Sequence, residues 1–386
     1  MNFVFLSPHF PPNYYKFCVH LRSLGANVLG LADEPYDNLH PDLKNALTEY
    51  YYVPNMHNYD DLLRAMGYFT YHYGRIDGLD SHSEYWLETE AKLRTDFNVD
   101  GIKVADLPAI KRKSLMKEKF KAARVDAAPS IVVHSIEQAH EFVNEIGFPI
   151  IVKPDIGVGA AKTYKFNSLA ELDAFFDPMP PVDYLVEKFI SGTIHTFDGL
   201  TDNNGDVVFL NSLVYSQGIM DAVNDDTDIY YYTERKIAPD LEKAGRRVVK
   251  EYGLRNRFFH FEFFRTPENK LVGLEVNMRP PGGLTTDMFN FANDIDVYYE
   301  WANIILHNKF SSSYSHPYHC CYIGKKWNQR YKHTHREILN RFGSKIVHFE
   351  EISGIFSPAL GNFGYLARSP EMDEILAIAN FILEKV

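Results

Sequence analysis

Residues 258–283, FFHFEFFRTPENKLVGLEVNMRPPGG, constrain the fold of this chain more than any other stretch. Two apolar runs flank the turn Thr266-Pro267-Glu268-Asn269, so the segment reads as a β-hairpin with strands at 258–265 and 270–277. This four-residue turn sets Arg265 opposite Lys270 and Glu262 opposite Gly273. Side chains alternate along a strand, so Glu275 shares a face with Glu262 as its diagonal neighbour, and Asn277 follows one step on. Two carboxylates and an amide oxygen on one face make a hard, oxygen-rich site. It suits Mg²⁺, which takes a few protein oxygens and leaves its other positions to water and phosphates. Arg279 comes next, able to hold a phosphate or carboxylate in bidentate fashion. Pro280-Pro281-Gly282-Gly283 then turns the chain away and exposes backbone amides to an anion.

The N-terminal third supplies a different frame. The apolar run at 2–6 is followed by a proline-rich loop, a helical pattern over 13–24 that stops at Gly25, and a second apolar run at 26–31. Strand, helix and strand in so short a span indicate a parallel βαβ unit. With YYYVP at 50–54, a helix near 58–73 and IDGLD at 76–80, residues 1–107 read as a doubly wound α/β domain. Its first loop, SPHFPPN, lacks the glycines that seat a dinucleotide pyrophosphate, so a nicotinamide cofactor is not expected.

A basic amphipathic helix is expected at 111–125, followed by strand, helix and strand to 154, a glycine loop at 157–163 and a strand at 184–189. Strands dominate from 195 to 277 around a helix near 239–252. Residues 108–310 thus form an α+β domain, with a C-terminal lobe at 311–386. A net charge of −11 argues against a general nucleic-acid binder, since phosphate backbones are held by excess lysine and arginine. Cys18, Cys320 and Cys321 suggest no disulfide framework, and neither a leader nor a membrane span is visible, so a cytoplasmic location is expected.

The order of these features resembles the ATP-grasp superfamily. EVNMR at 275–279, with a glutamate one strand earlier, is similar to its metal-binding hairpin. The variant with His260 and Glu262, then E-x-N-x-R-x-x-G-G, is most similar to the carboxylate–amine and L-amino-acid ligase branch. The resemblance implies an ATP-grasp fold of two α+β lobes behind the N-terminal domain. It implies ATP and Mg²⁺ as cofactors, with Mn²⁺ as an alternative ion, and Glu262, Glu275 and Asn277 as metal ligands. Lys113 and Lys153 match the two phosphate-contacting lysines. The stretch Gly157-Val158-Gly159-Ala160-Ala161 resembles the loop that closes over the phosphates, with Lys162 where a last glycine is common. Glu187-Lys188-Phe189-Ile190 resembles the hinge that reads adenine. The usual ribose glutamate is missing, leaving His195 or Asp198 as substitutes.

The implied reaction is ATP-dependent amide formation between a carboxylate and an amine, amino acids being the class indicated, through an acyl phosphate. Arg279 is the candidate for stabilising the transferring group, His260 for orienting substrate or a metal ligand, and Glu84, Gly282 and Gly283 for contacting substrate. Asp225, Asp226 and Asp228 fall in a segment read as a cover for the acceptor site. Related proteins are often dimers, so a homodimer is the assembly to expect. Two competing readings are a bicarbonate-using carboxylase and an ATP-binding sensor without catalysis.

Overall fold

A computed structural model describes residues 1–157, 162–218 and 226–386. The first sheet is parallel, in the order Glu49–Tyr52, Asn27–Ala32, Asn2–Leu6 and Gly78–Asp80. Its inner strands are apolar on both faces because helices cover each side, as parallel sheets require. The helix Tyr15–Ser23 is shorter than its sequence pattern, and Gly25 takes a left-handed φ of 94° just beyond it. A second, antiparallel sheet contains Ser130–Val133, Tyr184–Lys188, Ile150–Pro154 and Tyr164–Phe166. The third and largest is antiparallel and includes the hairpin strands Phe258–Arg265 and Leu271–Asn277 beside Thr193–Thr201. His319–Lys325, Phe363–Ser369 and Ile346–Glu351 complete it, so the C-terminal residues extend the same sheet.

The basic helix differs from expectation. It breaks at Arg112, which is extended, into Leu107–Lys111 and Lys113–Ala122. Asp155 causes the break: its carbonyl accepts the Lys113 N–H at 2.9 Å, and its Oδ1 accepts the Ser114 N–H at 2.8 Å. The end of strand Ile150–Pro154 thereby fixes where the helix carrying Lys113 begins.

Helix Pro239–Tyr252 packs on the large sheet through a cluster containing Leu241, Val248 and Phe197. At Gly245 a Cβ would run into the Phe197 ring. Alanine is the better helix former by about 1 kcal/mol, but overpacking a filled core costs about 1–3 kcal/mol. Gly245→Ala is therefore expected to lower the urea midpoint; a raised midpoint would show that Phe197 turns aside freely.

Candidate active site

The hairpin places its carboxylates closer together than its turn alone suggests. Glu262 lies directly opposite Glu275 and His260 opposite Asn277, while Phe263 pairs with Gly273. Leu274 is the extra residue of a β-bulge, and Arg265 faces Leu271 rather than Lys270. The expected register is thus corrected: no cation faces another, and Arg265 pairs with Asp240 at 2.9 Å. On the other flank, Glu262 pairs with Thr196 and His260 with Asp198. The His260 ring bridges two carboxylates, with Nδ1 2.6 Å from Asp198 Oδ1 and Nε2 3.1 Å from Glu262 Oε1. Burial alone would lower the His260 pKa, but those carboxylates raise it to about 9. Asp198 is fully buried and committed to His260 and Thr196, so it is not a ribose contact.

A cavity of about 420 Å³ opens between the second sheet and the hairpin, lined by Lys113, Lys117, Lys153, Glu187, Glu262 and Glu275 among others. Lys113 donates to the Gly157 carbonyl at 2.8 Å and stands 3.7 Å from Glu275 Oε1. Glu187 is gripped by Lys153 at 2.6 Å and Lys117 at 2.7 Å, all three buried. Lys117 was not singled out in the sequence, although it sits one helical turn from Lys113. Lys188, Phe189 and Ile190, expected to read adenine, also line the cavity. The N–H groups of Lys188 and Phe189 are used by the Pro129 and Pro149 carbonyls.

Burial would raise the Glu187 pKa, but the two ammonium groups override it and hold it at about 2. A carboxylate with a depressed folded pKa stabilises the fold above its unfolded value, about 4.5, and loses that contribution as pH falls towards about 2. Wild-type urea midpoints should therefore fall as pH drops below about 4.5. In Glu187→Gln, starting from a lower midpoint, that decline should be shallower; parallel declines would remove Glu187 from the acid response.

His195 is not in the cavity wall. It pairs with Phe263, on the opposite face from Glu262, and its Nδ1 is 3.5 Å from Glu234. Ile194 and Phe264 form the wall there instead. Lys162 is exposed with φ 60°, the left-handed region where glycine is at ease. Gly159, with Val158, Ala160 and Ala161, lies outside the described residues, as does Asp225. Asp226 and Asp228 are tied to the C-terminal region, Asp226 to Lys326 at 2.7 Å and Asp228 to Tyr331 at 2.6 Å.

Arg279 projects beside the cavity. Its Nε is 3.7 Å from Glu84 Oε2, and it donates to the Pro280 carbonyl at 2.9 Å. Glu84 precedes helix Leu87–Asp96, whereas Glu88 is a surface partner of Lys92 and Lys111. Gly283 takes φ 64°, and the Gly282 and Gly283 carbonyls accept from Thr285 and Asn13. A larger groove of about 740 Å³ opens elsewhere, at the ends of strands 2–6 and 78–80. It contains none of Lys113, Lys153, Glu262 or Glu275, which line the smaller cavity.

Among the described residues, no group of three or more His, Cys, Asp or Glu could hold a metal. Glu262, Glu275 and Asn277 instead make an incomplete oxygen set. Burial raises the Glu275 pKa, with Lys113 opposing and Glu262 adding to the rise. Burial would also raise that of Glu262, but His260 and Arg279 lower it. Two opposed carboxylates in this balance fit a divalent cation whose remaining positions are filled by phosphate and water. No helix among the described residues is long and apolar enough to cross a membrane.

Residues 146–287 match the ATP-grasp domain family. The chain is 21% identical over 246 residues to an L-arginine-specific L-amino acid ligase of Bacillus subtilis, covering 60% of this chain and 58% of that protein. It is 25% identical over 190 residues to the carbamoyl phosphate synthase large chain of Deinococcus radiodurans, covering 45% of this chain and 18% of that protein. The chain thus spans 58% and 18% of these relatives' lengths. An L-amino acid ligase from Bacillus licheniformis superposes with a TM-score of 0.77 at 14% identity, over 100% of this chain and 98% of the other. N5-carboxyaminoimidazole synthetase from Staphylococcus aureus gives 0.72 at 13%, covering 99% and 97%.

Proposed function

We propose that this chain, whose fold is that of the ATP-grasp proteins and whose residues 146–287 match the ATP-grasp domain family, is an ATP-dependent carboxylate–amine ligase that forms an amide through an acyl phosphate. The observation that carries the reading is the directly opposed pair Glu262 and Glu275 at the wall of a cavity lined by Lys113 and Lys153. Likeness to L-amino acid ligases in sequence and fold supports amino acids as the substrate class.

ATP occupies the cavity between the second sheet and the hairpin in this reading. Lys153 and Lys113 offset phosphate charge, and Glu187 holds Lys153 in place while its own charge is balanced by Lys117. With the Lys188 and Phe189 amides engaged, the Ile190 N–H is the hinge donor for the adenine ring. Glu262, Glu275 and Asn277 hold Mg²⁺, which supplies charge neutralisation and orientation of the phosphates. A carboxylate oxygen of the first substrate attacks the γ-phosphorus, the bond to the β–γ bridging oxygen breaks, and ADP leaves. Arg279 stabilises the charge on the transferring group, and the protein's role is positioning and electrostatics. An amine nitrogen then attacks the acyl carbon, phosphate departs, and the nitrogen loses a proton to solvent. Glu84, beside Arg279, is the group placed to hold the amine while it is an ammonium, which loses a first proton to solvent before its nitrogen attacks.

Phosphate release from ATP and Mg²⁺, screened against amino acids singly and in pairs, tests this. Release that requires a particular amino acid supports the ligase. Release driven by bicarbonate alone, or tight ATP binding with no acid-dependent turnover, would contradict it.

A further inference from the structure

Four of the charged side chains buried away from the nucleotide cavity are joined to one another: Asp80 at 5% exposure, Glu90 at 0%, Arg94 at 1% and Arg257 at 6%. Burying two ion pairs is no reliable gain in stability, because desolvation rivals the attraction. Their connections are more informative than their number. Asp80 ends strand Gly78–Asp80, and its Oδ1 accepts the N–H groups of Ser81 at 2.9 Å and His82 at 2.8 Å. Those bonds shape the turn in which His82 takes φ 56°, two residues before Glu84. The other oxygen, Oδ2, accepts from Arg257 at 3.0 Å and from Arg94 at 3.3 Å. Arg257 precedes the first hairpin strand, and its Nε donates to the Met278 carbonyl at 2.6 Å, one residue before Arg279. Glu90 closes the network, accepting from Arg94 at 2.9 Å and Arg257 at 3.4 Å.

One carboxylate therefore shapes the backbone on both sides of the Glu84–Arg279 pair. On one side it acts directly through the 81–84 turn, and on the other through the Arg257 guanidinium and the Met278 carbonyl. The two segments lie far apart in sequence and in different sheets, so nothing local fixes the 3.7 Å between Glu84 and Arg279. We infer that Asp80 and Arg257 are positioning residues that set the spacing of the substrate-binding pair Glu84 and Arg279, coupling the N-terminal domain to the ATP-grasp hairpin. This rests on the ligase reading for the identity of that pair as the substrate site. A planar guanidinium with separate Nε and Nη donors can hold a carbonyl and a carboxylate at once, which a lysine ammonium cannot do with fixed geometry.

The test is the double variant Asp80→Asn/Arg257→Gln. It removes one charge of each sign and leaves Arg94 with Glu90, so no unbalanced charge stays buried, whereas either single change leaves one. The double variant is expected to fold, with a melting temperature close to wild type. Its KM for the amino acid chosen by the phosphate-release screen should rise about tenfold or more, with the KM for ATP unchanged within about twofold, the mark of lost binding at one substrate only. Arg257→Lys should show the same split, more weakly. A folded double variant with wild-type KM for the amino acid would overturn the inference. So would an equal rise in both constants, which is what general loosening produces. Crystal structures of wild type and double variant read the claim without any substrate. A Glu84–Arg279 distance that widens while Lys153–Glu187 stays paired supports it, and an unchanged distance refutes it. If no amino acid stimulates the wild type, the ligase reading fails on its own while the structural comparison still decides the positioning claim.

Discussion

Glu275→Gln is expected to cut acid-dependent ATP turnover by about 10²–10³-fold while leaving the ligand-free fold intact. Glu275 faces Glu262 directly across the bulged hairpin, and Asn277 stands one pair further on. The variant keeps the shape of the side chain but turns one acceptor oxygen into an NH₂ donor and removes one of two negative charges assigned to Mg²⁺. Removing one preorganised charge-stabilising group from such a site costs about 10²–10³-fold in rate. Burial and the neighbouring Glu262 disfavour the charged form of Glu275, with Lys113 as its compensation. Losing that charge relieves part of the repulsion, so the thermal midpoint without nucleotide should not fall. Steady-state phosphate release and calorimetric melting check both halves. A variant with wild-type turnover would remove Glu275 from the reaction. One that melts well below wild type would assign it a structural role.

Lys153→Met should weaken ATP binding more than it weakens the fold. Lys153 closes a buried apolar strand, lines the cavity proposed to take ATP and pairs with Glu187 at 2.6 Å. Loss of one hydrogen bond to a charged phosphate is worth about 1.5–3 kcal/mol, or about 10- to 150-fold in the ATP dissociation constant. Breaking a buried ion pair costs about 3–5 kcal/mol when the remaining charge is left alone. Here Lys117 still holds Glu187 at 2.7 Å, so the loss in stability should stay below that range. Titration calorimetry with ATP and Mg²⁺ measures the first effect and urea unfolding the second. Unchanged ATP affinity in a folded variant would place the nucleotide elsewhere.

The parts legible in the sequence were those written in local periodicity. The hairpin, the parallel N-terminal sheet and the helix Pro239–Tyr252 each follow from alternating or helical apolar patterns. The sharing of one face by Glu262, Glu275 and Asn277 follows from the same alternation. Register did not: the turn is one residue longer than expected, so Arg265 faces Leu271, and the bulge at Leu274 adds a second shift, which together bring Glu275 opposite Glu262 on the same face. Arg112 is a similar case. The basic amphipathic pattern runs straight through it, and only Asp155, forty-three residues away, reveals the break.

His195 shows the reverse error. The resemblance offered it as a substitute ribose contact, yet strand alternation sends it to the face opposite Glu262. That face was deducible once His195 was aligned with Phe263, but the pairing of those strands has no local signature. Lys117 was within reach, since a lysine one turn from Lys113 lies on the same helix face. Asp80 and Arg257 were not, being 177 residues apart and joined only by the tertiary fold.

The most direct test of the account is the fate of the substrate's carboxylate oxygen. Wild-type protein would be given ATP, Mg²⁺, the amine and the stimulating acid labelled with ¹⁸O in its carboxylate, and the released phosphate would be analysed by mass spectrometry. Transfer of one ¹⁸O atom from the acid to phosphate, with ADP as the other nucleotide product, is the predicted result. Unlabelled phosphate, or release of AMP and pyrophosphate, would contradict the acyl-phosphate mechanism.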